Sequence, residues 1–311
     1  MSHVVWPMTR SRIRVAVIGS GNIGIDLCER LLRDEDFEVV AVIGRRADSP
    51  GLLRFEQRIP FVISGGLGEF LPQIDLIDGA FDATSAFDHE RHWTELEARG
   101  KWVVDLTPSR LGVPIVPSLI GKASFMQIQS VRNAADYSMV TCGGQSSAPL
   151  LFSVAVNSRR IEEVEISSSI AALSAGPATR LNIDQYIEST EHLATLITGC
   201  ANVKAILVLN PASPPVMMRT TVTVQAEVID LEAVTRDCRR IVAEVEKSVP
   251  GYSVVVAPHS LSDRQVVITA KVTGAGYYLP EYAGNLDIIN AAAVETARRH
   301  AKDQCAAEVL T

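Results

Sequence analysis

Six residues near the start of the chain, Gly19-Ser20-Gly21-Asn22-Ile23-Gly24, fit the pattern G-x-G-x-x-G and leave little freedom in what surrounds them. Before them, residues 13–18 (Ile-Arg-Val-Ala-Val-Ile) form a β-branched apolar run, which predicts a strand buried on both faces. After them, residues 23–33 carry Ile23, Leu27, Leu31 and Leu32 on one helical stripe. Acidic Asp34-Glu35-Asp36 and a second strand at about 38–43 follow. The unit is strand, turn, helix, strand. In such a unit the first glycine permits the tight turn, the second lets backbone approach a pyrophosphate, and the third lets helix and strand pack closely. The helix start then faces the phosphates with unpaired N–H groups. Residues 19–24 are therefore a candidate dinucleotide site, with a plain strand-to-helix turn as the alternative.

The end of the second strand bears on which dinucleotide is bound. An acidic residue there would hold a ribose 2′-OH, but the sequence has Gly44-Arg45-Arg46, with no carboxylate before Asp48. A guanidinium pairs with a 2′-phosphate through charge-assisted contacts worth roughly 1.5–3 kcal/mol, so Arg45 and Arg46 favour NADP over NAD. Two arginines that merely solvate a loop are the other reading. Further strands are predicted at about 75–81, 101–105 and 138–142, alternating with turns and helices as a doubly wound parallel sheet requires. From about residue 144 the texture changes. A helix to about 158 is expected, then strands near 161–172, 203–209, 218–229 and 265–273, with a helix near 231–248. The fold class expected is α/β: an N-terminal Rossmann dinucleotide-binding domain over 1–143, and an α+β catalytic and dimerisation domain over 144–284. A last helix at 285–311 would pack back on the first domain.

A chain of 311 residues suits two domains of roughly 100–200 residues each. Its 47% hydrophobic and 21% charged residues are those of a globular protein, and a net charge of −7 leaves no basic footprint for nucleic acid. No apolar run approaches the roughly 18–20 residues that cross a bilayer, and Met1 to Arg12 contain no leader-like apolar stretch. A cytoplasmic protein is expected, with neither nucleic acid nor membrane as partner.

Five cysteines, Cys28, Cys142, Cys200, Cys238 and Cys305, lie far apart without a C-x-x-C pair, so no metal site or disulfide framework is expected. Cys142 differs from the others. It follows an apolar strand end within Thr141-Cys142-Gly143-Gly144-Gln145 and precedes a small-residue helix start, Ser146-Ser147-Ala148-Pro149. A helix N-terminus there would lower the thiol pKa, and its N–H groups would hold an oxyanion. Cys142 is thus the candidate nucleophile, and the other four are read as buried cysteines within helices. His89 and His92 at a helix start, and His259 in a loop, are read as surface or structural. Asp82 and Asp105 either line the cofactor crevice or shape turns. Arg180 faces cofactor phosphates or an acidic substrate, or else forms a structural ion pair. Asp287 either orders the site or caps a helix, and Arg298-Arg299-His300 form a solvated helix end.

Seven stretches carry a wider resemblance: 19–24, Phe-Asp-Ala-Thr-Ser-Ala (81–86), Asp-Leu-Thr-Pro (105–108), Met-Val-Thr-Cys-Gly-Gly-Gln (139–145), Ser-Ala-Gly-Pro-Ala-Thr-Arg (174–180), Asn-Pro-Ala-Ser-Pro-Pro (210–215) and Tyr-Leu-Pro-Glu-Tyr-Ala-Gly-Asn-Leu-Asp (278–287). In order and over almost the whole chain, they resemble the CoA-dependent acylating acetaldehyde dehydrogenases that partner an aldolase. The resemblance implies that Cys142 is the acyl-thioester nucleophile. It implies cofactor binding by Ser20, Gly21, Asn22 and Ile23, by Ser174, Ala175, Gly176, Pro177, Ala178, Thr179, Arg180, Leu181 and Asn182, and by Asn285. It further implies a nicotinamide cofactor, coenzyme A as co-substrate, a small aldehyde or acyl thioester as substrate, and a homodimer or higher homo-oligomer. Two positions depart from the family pattern: Thr220 stands where the family has an aspartate thought to act as base, and Arg46 stands where it has an acid. The segment 255–270 is shorter and more polar than in the family, which argues against an aldolase partner. The departures keep two alternatives open: a semialdehyde-type dehydrogenase using phosphate or water, and a non-catalytic dinucleotide-binding redox sensor.

Overall fold

The structure, a computed structural model, describes residues 12–122 and 135–308. Its first sheet has seven parallel strands: β1 (Ile13–Ile18), β2 (Phe37–Ile43), β3 (Phe61–Ile63), β4 (Gly79–Asp82), β5 (Trp102–Asp105), β6 (Val113–Pro114) and β7 (Asp136–Ser138). Their order is β3-β2-β1-β4-β5-β7-β6. The reversal at β1/β4 creates the crevice where such sheets bind ligands. Helices α1 (Asn22–Leu31), α2 (Pro50–Leu53), α3 (Leu67–Phe70) and α4 (Ala86–Glu97) intervene. Helices cover both faces of a parallel sheet, which is why β1 reads as a continuous apolar run from Val15 onward: Val15, Ala16 and Val17 are fully buried.

From β7 the chain turns into α5 (Cys142–Ala155) and then a second sheet. That part contains β8 (Ser158–Ala171), α6 (Pro177–Leu181), α7 (Ile183–Thr198), β9 (Val203–Asn210), β10 (Met218–Ile229), α8 (Leu231–Glu246), β11 (Tyr252–Ser262) and β12 (Gln265–Val272). The sheet order is β11-β12-β10-β8-β9. Three pairings are antiparallel and only β8 with β9 is parallel, because α6 and α7 carry the chain across between them. Helix α9 (Gly284–Glu308) returns to the first sheet. Asn290 Nδ2 donates to Asp26 Oδ2 on α1 at 2.9 Å, and Arg298 joins Asp34 and Asp36 beyond it. The α/β class with a Rossmann-type sheet is as expected.

Several local expectations shift. The strand expected at 75–81 is β4 at Gly79–Asp82, because Leu71–Leu76 closes into a 3-10 turn. The strand expected at 138–142 ends at Ser138, and Cys142 already belongs to a helix. His259 sits in β11, opposite Val267, not in a loop. Cys200 lies in the turn beyond α7, past Gly199. The basic tail of α9 is not a solvated end: Arg298 binds Asp34, Asp36 and Glu295, while His300 packs on Trp102 and accepts or donates to Tyr137 Oη at 2.8 Å. The side chain of Cys305 lies outside the described residues.

Candidate active site

At the glycine turn, each glycine meets a different constraint. Gly19 has φ +118°, and a Cβ there would stand 2.5 Å from the Ala83 carbonyl oxygen at the end of β4. A Cβ on Gly24 would collide with the Gly19 carbonyl, whereas one on Gly21 would meet nothing within 4 Å. Gly21 is also the N-cap of α1 and offers no side chain to the first N–H groups. Open space over uncapped N–H groups is what an incoming phosphate needs.

A cleft runs from this turn in two connected compartments. The outer is lined by Gly19, Ser20, Gly21, Arg45, Arg46, Leu181 and neighbours. The inner is lined by Gly21, Asn22, Ile23, Thr84, Thr107, Cys142, Ser174, Gly176, Thr179, Tyr186 and Asn285 among others. Gly21, Ala83, Thr84, Pro177, Ala178 and Asn182 border both. Asn22 Nδ2 reaches the Ser174 carbonyl at 3.4 Å and joins the two walls. Most of the site residues expected from sequence thus share one cleft.

Gly24, Ala175 and Arg180 do not line it. Arg180 binds the carbonyls of Ala172 and Ala175, at 2.8 and 3.2 Å, so it secures the start of α6, and it forms no ion pair among the described residues. Arg45 and Arg46 stand largely in solvent at the outer mouth, the first 3.2 Å from Asp88 and the second 3.5 Å from Asp48. Asp287 pairs with Arg30, away from the lining. Two buried polar atoms of the inner compartment, Thr107 Oγ1 and Asn285 Oδ1, have no hydrogen-bond partner among the described residues. Buried polar groups are nearly always satisfied, so these two are available to a polar ligand.

Cys142 closes the inner end as the first residue of α5. Thr141 caps that helix, its Oγ1 accepting from the Gly144 N–H at 2.8 Å, and Val140 just before it takes φ +62°. A β-branched residue in the left-handed region is strained, and such strain concentrates at functional turns. Gln145 fixes the approach by donating to the carbonyls of Ile115 and Met139, and Tyr252 Oη holds Ser146 at 2.8 Å. Burial pushes the Cys142 thiol up to about 11, and hydrogen bonds from Tyr186, Gly143 and its own N–H recover only part of that rise. The expected lowering by the helix start is therefore overcome by desolvation. Among the described residues, none lining the inner compartment is charged or is a histidine.

Beside the cleft lies a cluster of residues whose sequence readings were surface or structural for the histidines, and crevice lining or turn formation for the aspartates; His92 borders the outer compartment. His89 and His92 are buried on α4. Asp82 Oδ2 meets His89 Nδ1 at 3.0 Å and His92 Nδ1 at 2.9 Å, and His89 Nε2 faces Asp136 at 3.4 Å and Asp105 at 3.5 Å. Asp82 also holds Thr84, and Asp105 holds Thr107 and Ser109, so both carboxylates shape turns as well as facing the histidines. Thr107 and Tyr186 were likewise missed. Thr107 sits in the Asp-Leu-Thr-Pro motif, and Tyr186 lies one helical turn after Asn182, a spacing that puts both on one face.

Sheet order, glycine turn and crevice define a protein of the Rossmann class whose ligand cleft ends on a buried cysteine. A family model described as prokaryotic acetaldehyde dehydrogenase, dimerisation, matches residues 142–280. The chain is 42% identical to an acetaldehyde dehydrogenase of Pectobacterium atrosepticum, covering 91% of this chain and 94% of that protein. It is 39% identical to one of Spirochaeta aurantia, covering 96% and 97%, and 40% identical to one of Geobacillus stearothermophilus, covering 96% and 99%. The chain belongs to the acetaldehyde dehydrogenase family of enzymes.

Proposed function

We propose that the protein is an NAD(P)-dependent acylating aldehyde dehydrogenase that interconverts a short aldehyde and an acyl-CoA through a thioester on Cys142. The observation that carries this reading is a single cleft with the glycine turn at one end and a helix-borne thiol at the other. The residues present fit a dinucleotide: open space at Gly21, uncapped N–H groups on α1, and the unpartnered Thr107 and Asn285 oxygens deeper in. When bound, the nicotinamide accepts or supplies the hydride.

In the reductive direction Cys142 Sγ attacks the thioester carbonyl, and the bond to the CoA sulfur breaks to release the thiol. Backbone N–H groups at the start of α5 stabilise the oxyanion of the tetrahedral intermediate, and the acyl group then stays on Cys142. Once the acyl carbon has taken a hydride, the bond from that carbon to Cys142 Sγ breaks, releasing the aldehyde and the Cys142 thiolate. Arg45 and Arg46 at the outer mouth favour NADP, since guanidinium groups pair with a 2′-phosphate. Residues 1–143 form the cofactor domain in this reading, and 144–284 the catalytic and dimerisation domain. The match to a dimerisation model supports a homodimer. Thr220 in place of the family acid favours a second reading, in which phosphate or water takes the acyl group.

One assay set separates these readings: an aldehyde panel offered with CoA, phosphate or no added acceptor, each with both nicotinamide cofactors. The expected result is product only with CoA, higher efficiency with NADP(H), and no turnover in Cys142→Ala. Turnover with phosphate or water alone contradicts acyl-CoA formation, equal or better efficiency with NAD(H) contradicts the arginine argument, and an active Cys142→Ala removes the covalent route.

A further inference from the structure

The proposed reaction needs a thiolate, yet the thiol is buried and the inner compartment offers no carboxylate or imidazole among the described residues. A buried anion is stable only where donors converge on it. Tyr186 Oη lies 3.8 Å from Cys142 Sγ, within hydrogen-bonding reach of sulfur. The same phenol oxygen and the Ser168 hydroxyl both stand beside Gly143. Ser168 on β8 stands opposite Thr220 on β10, with their hydroxyl oxygens 3.2 Å apart. All four side chains are buried. Gly143 is what lets the phenol come so near: a Cβ there would collide with Tyr186 Oη and stand 2.8 Å from Ser168 Oγ.

We propose that Tyr186 is a catalytic residue that stabilises the Cys142 thiolate at the head of a reversible chain of hydroxyls, Tyr186, Ser168 and Thr220. The proposal deepens the reading of Cys142 as nucleophile and rests on it for the reaction served. A hydroxyl both donates and accepts, and its hydrogen rotates to suit. With the thiol protonated, S–H donates to Tyr186, Tyr186 to Ser168, and Ser168 to Thr220. When the proton leaves to water in the cleft, the three hydroxyls turn round, and Tyr186 donates to the sulfur anion while accepting from Ser168. No side chain gains or loses a proton except Cys142. The sulfur anion then has the phenol as its side-chain donor. The position at which the family pattern has an acid, Thr220, ends the chain without adding a second buried charge beside the anion.

The test is the rate of Cys142 alkylation by iodoacetamide against pH in the full chain, read by mass spectrometry at the Cys142 peptide. Tyr186→Phe should move the inflection up by about one unit, roughly tenfold slower labelling at neutral pH. Tyr186→3-fluorotyrosine, a stronger donor of the same shape, should move it down. An inflection in Tyr186→Phe at or below that of the parent overturns the proposal. Should the Phe variant not fold, the fluorinated one decides, and an unmoved or raised inflection there overturns it. Labelling needs neither CoA nor hydride transfer. A failed acyl-acceptor assay therefore leaves this proposal standing, and its own failure leaves the acyl-CoA reading standing.

Discussion

Gly21 and Gly24 lie three residues apart in one turn, yet substitution should affect them in opposite ways. Gly21 has ordinary extended backbone and empty space where a Cβ would point. Gly21→Val should therefore change stability by no more than about 0.5 kcal/mol while weakening dinucleotide binding at least tenfold, because the new side chain fills the phosphate approach. Gly24→Ala drives a methyl into the Gly19 carbonyl and should destabilise the protein by about 1–3 kcal/mol. Thermal melting and a cofactor fluorescence titration on both variants check this, and the reverse pattern contradicts it. At this scale the glycines and Cys142 were legible because their meaning depends on neighbours in sequence. Tyr186, Ser168 and Thr107 were not, since what makes them matter is a sulfur or a cavity brought near by folding. The direction of the Cys142 shift was misread for the same reason: burial is absent from a local motif, and here it outweighs the helix start.

Strands β4, β5 and β7 and helix α4 meet over one buried charge network, and its pH response belongs to the elements together. Burial alone would lower the His89 pKa, but hydrogen bonds to Asp136 and Asp82 and the charge of Asp105 raise it to about 10, against 6.5 ordinarily. A raised histidine stabilises the fold fully below about pH 6.5, and that contribution fades as pH rises through about 10. Asp82 behaves in the opposite sense. Although burial opposes its ionisation, His89 and His92 hold its carboxyl well below the usual range, so its contribution is present above roughly pH 3.9 and fades in strong acid. Burial pushes Asp105 up to about 7, which costs stability as it ionises. His89→Asn should therefore melt below the parent at pH 6.5, with the gap narrowing steadily toward pH 10; a constant gap contradicts the assignment. Of the first sheet, β1, β2 and β5 were legible from their apolar runs, whereas the three-residue β3 and two-residue β6 are too short to leave a pattern. β11 was not, because it is an edge strand with Val255, Val256 and Leu261 exposed among polar residues, and its pairing with β12 shifts register three times.

Considered whole, the molecule builds its cleft from segments that neither sheet supplies alone. The turn after β1 brings the phosphate site, the Ser174–Asn182 stretch after β8 brings the opposite wall, and α9 returns Asn285 from the far end of the chain. Cys142 stands at the joint, on the helix that leaves the parallel sheet and packs beneath the mixed one. Seven collinear motifs made the family legible in the sequence, but their convergence on one cleft is a property of the fold. The central claim is that this joint carries an acyl group on sulfur. Intact-protein and peptide mass spectrometry after incubation with an acyl-CoA, with no reduced cofactor to discharge the intermediate, tests it most directly. The account predicts one added acyl mass, located on Cys142 and absent from Cys142→Ala. No adduct, or an equal adduct in Cys142→Ala, would contradict it.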